Sequence, residues 1–168
     1  MDILILCAGY GTRLAPLTDR IPKPLVPVVD KLSIEHQLDH IVNLEGEHIF
    51  INSHHLSSML EQFTDDSDLI DHCFVEEDIL GTGGPLRGAF LEKNSKELLV
   101  MNGDVYHELD IEGFLSRSRE SGKEFALLMR DYKKVNSVGL RDNQVVSVKQ
   151  VYGESEEVDS YGTYTGVS

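Results

Sequence analysis

Arg13 and Lys23 carry the clearest chemistry in this chain, because both sit on a loop whose neighbours leave the backbone open to a ligand. Residues 6 to 27 read Leu-Cys-Ala-Gly-Tyr-Gly-Thr-Arg-Leu-Ala-Pro-Leu-Thr-Asp-Arg-Ile-Pro-Lys-Pro-Leu-Val-Pro. Gly9 and Gly11 lack a Cβ, so the chain can turn sharply and bring backbone N–H groups close to an anion. Arg13 adds a planar fork for phosphate oxygens. Pro22 and Pro24 flank Lys23 and predict an extended, stiff segment that holds its ammonium toward the same anion. Two stiffened cations on one loop suit a triphosphate.

Two further stretches place chemistry after apolar runs. Glu76 to Leu86 holds Gly81 and Gly83 in a turn that lets a flat base approach the backbone. A carboxylate at Glu77 can accept from the two adjacent N–H donors of guanine, which uracil lacks; a solvated acidic turn is the other reading. Leu99 to Val105 reads as a buried strand ending in Asp104, and carboxylate oxygen is what Mg²⁺ takes, alongside phosphates and waters. The alternative for Asp104 is a cap on the turn. Other glycine motifs fit the first loop less well: a P-loop needs Gly-Lys-Ser/Thr, and a dinucleotide fingerprint needs glycine where Leu14 stands.

These residues need a frame that brings three loops to one edge. Asp2 to Cys7 reads as a strand buried on both faces. Ile34, Leu38, Ile41 and Val42 predict an amphipathic helix over 34–43 with Ser33 as N-cap. Further strands are expected at 48–52, 72–75, 98–101, 125–129 and 162–167, and helices at 56–63, 85–91 and 111–121, the last stopped at Gly122. Two short strands within 138–148 join around Asp142-Asn143. The alternation predicts an α/β domain with a mainly parallel central sheet and a ligand at the carboxyl ends of its strands.

Composition narrows the class. A chain of 168 residues, 40% apolar and 26% charged, suits one domain over 1–168. No run reaches the roughly 18 apolar residues of a membrane helix, and the start lacks a basic-then-apolar leader, so a cytoplasmic protein with no membrane partner is expected. A net charge of −14 runs against nucleic acid and requires that any triphosphate be met by locally concentrated cations. Cys7 and Cys73 are expected to be buried thiols. His54 and His55, beside Asn52, read as surface or packing residues, and Gly153 to Asp159 as an exposed loop.

The first stretch resembles the signature of sugar-1-phosphate nucleotidyltransferases, roughly L-A-A-G-x-G-T-R-L-x-P-L-T followed by P-K-P-L, with Cys7 where the family carries Ala or Gly. Gly81-Thr82-Gly83 resembles the family's base- and ribose-contacting turn, Glu77 standing where guanylyltransferases have Glu. Asn102-Gly103-Asp104 resembles the element whose Asp binds the catalytic magnesium. The resemblance implies a Rossmann-like three-layer α/β/α nucleotidyltransferase domain. Arg13 and Lys23 would then be catalytic, and Ala8, Gly9, Gly11, Thr12, Glu77, Gly81, Thr82 and Gly83 would bind the nucleotide. Asp104 would hold Mg²⁺, and Asn102, Gly103 and Gly166 would contact the sugar phosphate. Lys149 matches a family Glu-Lys-Pro element only in its Lys, since Val148 and Gln150 replace the neighbours.

The implied reaction joins an NTP and a sugar 1-phosphate into a nucleoside-diphosphate sugar and pyrophosphate. GTP with a mannose-type phosphate leads and UTP follows, and a homo-oligomer stays open. Family members continue past the strand at 162–167 and supply a second metal-binding Asp. The expectation is therefore a C-terminal truncation or a shortened homologue with a weak metal site and little turnover. A non-catalytic nucleotide-sugar sensor and cytidylyl transfer to phosphocholine remain the alternatives.

Overall fold

Ile3, Leu4 and Ile5 are each exposed by 1% or less, because strand β1 (Asp2–Leu6) has a neighbour on either side. It pairs in parallel with β4 (His48–Ser53) and with β6 (Leu98–Asn102), so that Leu6 stands level with Asn52 and with Asn102. Strand β5 (His72–Val75) adds beyond β4 and completes a parallel sheet of order β5-β4-β1-β6. Burial of each large aliphatic side chain in this sheet stabilises the fold by about 1.5–3 kcal/mol. The shared register brings the carboxyl ends of all four strands to one edge. The computed structural model from which these contacts come describes residues 1–46, 48–79, 81, 83–86, 96–148 and 158–168. They form two compact units, Met1–Arg117 and Ser118–Ser168.

Helix α1 (Ser33–Ile41) buries Ile34, Leu38 and Ile41, as the periodicity predicts. Its cap differs from expectation. Leu32 holds the N-cap position, and its N–H donates to Glu35 Oε2 at 2.6 Å, while Ser33 is the first helical residue and donates its N–H to Val26 O at 3.1 Å. Glu35 thus satisfies the N–H of the N-cap residue itself, the reciprocal half of a capping box, and not the first-turn N–H that a Ser33 cap would accept. A short hairpin of β2 (Pro27–Val28) and β3 (Lys31–Leu32) leads into this helix.

Helix α2 (Ser57–Asp65) follows β4, and residues 83–86 are helical with Pro85 in the first turn; the rest of the helix expected at 85–91 lies outside the described residues. Helix α3 (Ile111–Ser121) begins where Asp110 Oδ1 accepts the Gly113 N–H at 2.8 Å and stops at Gly122, whose φ is 62°.

The second unit carries a separate antiparallel sheet of β7 (Met129–Arg130), β8 (Val138–Arg141), β9 (Gln144–Val148) and β10 (Ser160–Tyr164), in the order β7-β10-β8-β9. Asp142 and Asn143, at φ 49° and 58°, make the two-residue turn between β8 and β9. The strand expected at 125–129 shrinks to Met129–Arg130: Phe125 is 85% exposed, and Leu128 keeps backbone hydrogen bonds to Val167 and Thr165, each at 3.0 Å, outside the strand proper. The last strand ends at Tyr164, short of Val167, because Gly166 turns the chain at φ 90°. Among the described residues no helix is long and apolar enough to cross a membrane.

Candidate active site

Where β1 ends, the chain opens a cleft of about 360 Å³. Ala8, Gly9, Gly11, Thr12, Arg13, Lys23, Gly81, Asn102 and Asp104 line it, so the three motifs meet in space. Gly11 sits at φ 64° and starts a 3₁₀ turn, Thr12–Leu14, in which the Leu14 N–H donates to Gly11 O at 2.8 Å. The Thr18 hydroxyl, fully buried, donates to the same carbonyl at 2.9 Å. A Cβ on Gly11 would lie 2.8 Å from Thr18 Cγ2 and 3.3 Å from Lys23 Cβ. Gly9 has no atom within 4 Å of a would-be Cβ. Gly11 thus holds the loop's shape, while Gly9 leaves space beside the backbone.

Lys23 begins a 3₁₀ turn, Lys23–Leu25, instead of continuing extended. Pro22 before the turn is extended, at φ −62° and ψ 142°, and the Leu25 N–H donates back to its carbonyl at 2.8 Å. Pro24 and Leu25 are buried, which anchors the turn and fixes the root of the Lys23 side chain. Its ammonium donates to Asp104 Oδ2, joining the cation of the first motif to the carboxylate of the third. Both side chains are partly exposed, at 24% and 32%. A polyphosphate or a divalent ion can therefore reach them without unfolding anything.

Gly103 lies behind this edge instead of in it. A Cβ there would meet Cys7 Sγ at 2.7 Å and Ile5 Cγ2 at 3.1 Å, so glycine is what lets β6 leave the sheet past Cys7. Cys7 and Cys73 are both buried and free, as expected. Burial pushes the Cys7 thiol well above its ordinary value, with Cys73 and Asp104 adding to the effect, so it stays protonated and is no nucleophile.

A carboxylate that the sequence did not single out lines the cleft. Glu76 is 8% exposed and lines the cleft, while Glu77 is exposed and is not among the lining residues. The Asn52 amide ties the edge together: its Nδ2 donates to Glu76 Oε1 at 2.7 Å and its Oδ1 accepts the Cys7 N–H at 2.7 Å. A usable signal existed, because Glu76 is the first residue after β5 just as Cys7 follows β1 and Gly103 follows β6. Gly83 is exposed and off the cleft, and Thr82 and Lys149 lie outside the described residues, as do residues 153–157 of the acidic stretch. Gly166 belongs to the second unit.

Helix α1 braces the segment that follows Asp104. Gln37 is fully buried and its Nε2 donates to Val105 O at 2.5 Å, while His40 Nε2 donates to His107 O at 2.8 Å with the two rings stacked 4.4 Å apart. Burial, with His40 second, holds the His107 pKa down to about 4 from its ordinary 6.5. An unfolded chain takes up this proton near pH 6.5 and the folded chain only near 4. The stabilisation is thus present above pH 6.5 and drains away as pH falls toward 4. It amounts to about 1 kcal/mol, since the ring is only half buried. Urea midpoints between pH 7 and 4.5 should fall less steeply in His107→Asn than in the wild type; parallel curves would contradict the assignment.

Backbone N–H groups, Arg13, Lys23 and an accessible carboxylate can hold a polyphosphate and a hard cation. Among the described residues no group of three or more His, Cys, Asp or Glu could hold a metal alone, so a cation here would share its shell with a ligand's oxygens.

A model of the nucleotidyl transferase family matches residues 3–144. The mannose-1-phosphate guanyltransferase beta-B of Xenopus laevis is 32% identical, the match covering 83% of this chain and 41% of that protein. The D-glycero-alpha-D-manno-heptose 1-phosphate guanylyltransferase of Aneurinibacillus thermoaerophilus is 24% identical, covering 98% of this chain and 74% of the relative. A crystal structure of a glucose-1-phosphate thymidylyltransferase described as putative, from Bacillus anthracis, superposes with a TM-score of 0.76 at 18% identity, over 99% of this chain and 70% of that one. At that identity the likeness speaks for the fold, and it agrees with the Rossmann-like parallel sheet. The chain spans about two fifths of the length of the Xenopus relatives it matches.

Proposed function

We propose, from the premise that this chain belongs to the nucleotidyl transferase family, that its cleft moves a nucleoside monophosphate from an NTP to a sugar 1-phosphate. The contact of Lys23 with Asp104, beside Arg13 and the glycine turn, is the observation that carries this reading. In the transfer, an oxygen of the sugar phosphate forms a bond to the α-phosphorus as the bond to the bridging oxygen breaks and pyrophosphate departs. No side-chain nucleophile is needed, because a phosphate monoester is already anionic near neutral pH, and positioning and charge neutralisation remain for the protein. Arg13 and the backbone at Ala8, Gly9, Gly11 and Thr12 would hold the triphosphate. Lys23 would turn from Asp104 to a phosphate oxygen.

Mg²⁺ fits the donor set. Asp104 offers a partly exposed carboxylate at the cleft, and among the described residues no group of three or more His, Cys, Asp or Glu could hold the ion alone, which matches an ion that takes one or two carboxylates together with phosphates. Bound there with Asn102 nearby, it would neutralise charge on the transferring group. Residues 1–168 are read as one nucleotidyltransferase domain working in the cytoplasm.

The relatives named for guanylyl transfer, and the buried Glu76 at the cleft, favour GTP with a mannose-type phosphate, with UTP next. Pyrophosphate release from four NTPs crossed with several acceptor phosphates, phosphocholine included, is the direct test. GTP with a hexose 1-phosphate of the manno series is expected to be fastest. A lead for CTP with phosphocholine would move the reading to cytidylyl transfer, and binding without release from any pair would move it to a sensor.

A further inference from the structure

His54 and His55 follow the end of β4 at Ser53, and both reach the glycine loop, although successive residues of a strand face opposite ways. The chain has left the strand by then. Leu56, next in line, takes the left-handed conformation at φ 54°, which is unfavourable for any residue with a Cβ and is the kind of local strain that collects at working sites.

Each ring holds a different part of the loop. His55 Nε2 donates to Thr18 O at 2.6 Å, and the Thr18 hydroxyl in turn donates to Gly11 O at 2.9 Å. His54 Nδ1 donates to Glu76 O at 2.9 Å, and its Nε2 accepts from the Tyr10 hydroxyl at 3.0 Å. The Tyr10 ring stands edge-on to His54 and tilted over His55, with centroids 5.4 and 5.6 Å apart. A carbonyl only accepts, so these partners assign opposite tautomers, Nε2–H in His55 and Nδ1–H in His54. Neither ring lines the cleft.

We propose that His54 and His55 are positioning residues that set the order of the glycine loop and, through it, the affinity for the phosphates of a magnesium nucleotide. The proposal rests on reading that loop as the nucleotide site. His55 acts through Thr18 on the carbonyl of Gly11, and His54 acts directly on Tyr10, the residue between the two glycines.

In the whole gene product, His55→Leu should raise KM for the magnesium nucleotide about tenfold and leave kcat and the acceptor KM within about twofold. His55→Gln, whose amide nitrogen reaches where Nε2 lies, should restore most of the loss. Amide exchange of residues 9–14 in the free protein should quicken about tenfold in His55→Leu while β1 and β4 keep their protection. Tyr10→Phe removes only the hydroxyl and gives a smaller change of the same kind, which keeps the test available if His55→Leu fails to fold. Unchanged exchange at 9–14 would overturn the proposal, as would a KM rise that tracks lost thermal stability and that Gln does not restore. Should the wild type bind no NTP, the exchange measurement still decides the positioning role, and the failure belongs to the functional reading.

Discussion

Asp104→Asn should lower magnesium-dependent pyrophosphate release by about a thousandfold while the protein stays folded, since one lost electrostatic contact to a transition state costs a hundred- to a thousandfold and a metal ligand at least as much. The substitution keeps shape and removes charge. It takes away the anionic oxygen proposed to hold Mg²⁺ and replaces the ion pair with Lys23 by, at most, a neutral hydrogen bond. The stability cost should stay below about 1 kcal/mol, because both side chains are partly exposed and such a pair is screened by water. Circular dichroism melting beside the pyrophosphate assay separates the two effects. Turnover within tenfold of the wild type would remove Asp104 from the metal site.

Gly11→Ala is the variant with the largest expected effect on the loop itself. An alanine there must adopt φ 64° and push its Cβ to 2.8 Å from Thr18 Cγ2. Left-handed backbone costs about 1–2 kcal/mol, and overpacking a buried contact about 1–3 more. The sum, about 2–5 kcal/mol, corresponds to a drop of roughly 5–20 °C in Tm for a chain of this size. Gly9→Ala is the matched control. Its new methyl meets nothing within 4 Å, so Tm should move by no more than about 1–2 °C, and the loss should appear in nucleotide affinity alone, as the methyl enters the cleft. Calorimetric melting and nucleotide titration of both variants check the pair. Equal stability losses would show that the two glycines do the same job.

What could be read in the chain beforehand was whatever has a local cause. The Ile3-Leu4-Ile5 run, the stop of α3 at Gly122 and the Asp142-Asn143 turn each follow from a few adjacent residues, and each is present. Gly9, Arg13, Lys23 and Asp104 were legible because their spacing forms known loops. The place of Glu76 at the cleft was not legible because it depends on where β5 ends against β4, a register that no single strand encodes. The two prolines around Lys23 predict extended chain, but the burial of Pro24 and Leu25 goes with a turn at Lys23–Leu25, and burial is not a local property of the prolines. His54 and His55 carry no periodic signal at all, and their partners Tyr10 and Thr18 lie 44 and 37 residues away.

The central place of β1 has a consequence for how the protein comes into being. It precedes both of its partners in the chain, pairing with residues 48–53 on one side and 98–102 on the other. At about 5–20 residues per second, a nascent chain carries the apolar β1 with at least one open edge for roughly 5–20 s. Pairings this distant in sequence also make for slow closure of the sheet. The strand that ends the wait is β6, which delivers Asp104. Closing the last edge of β1 and bringing the acidic group to the phosphate loop are thus one event, and a partly made chain has neither.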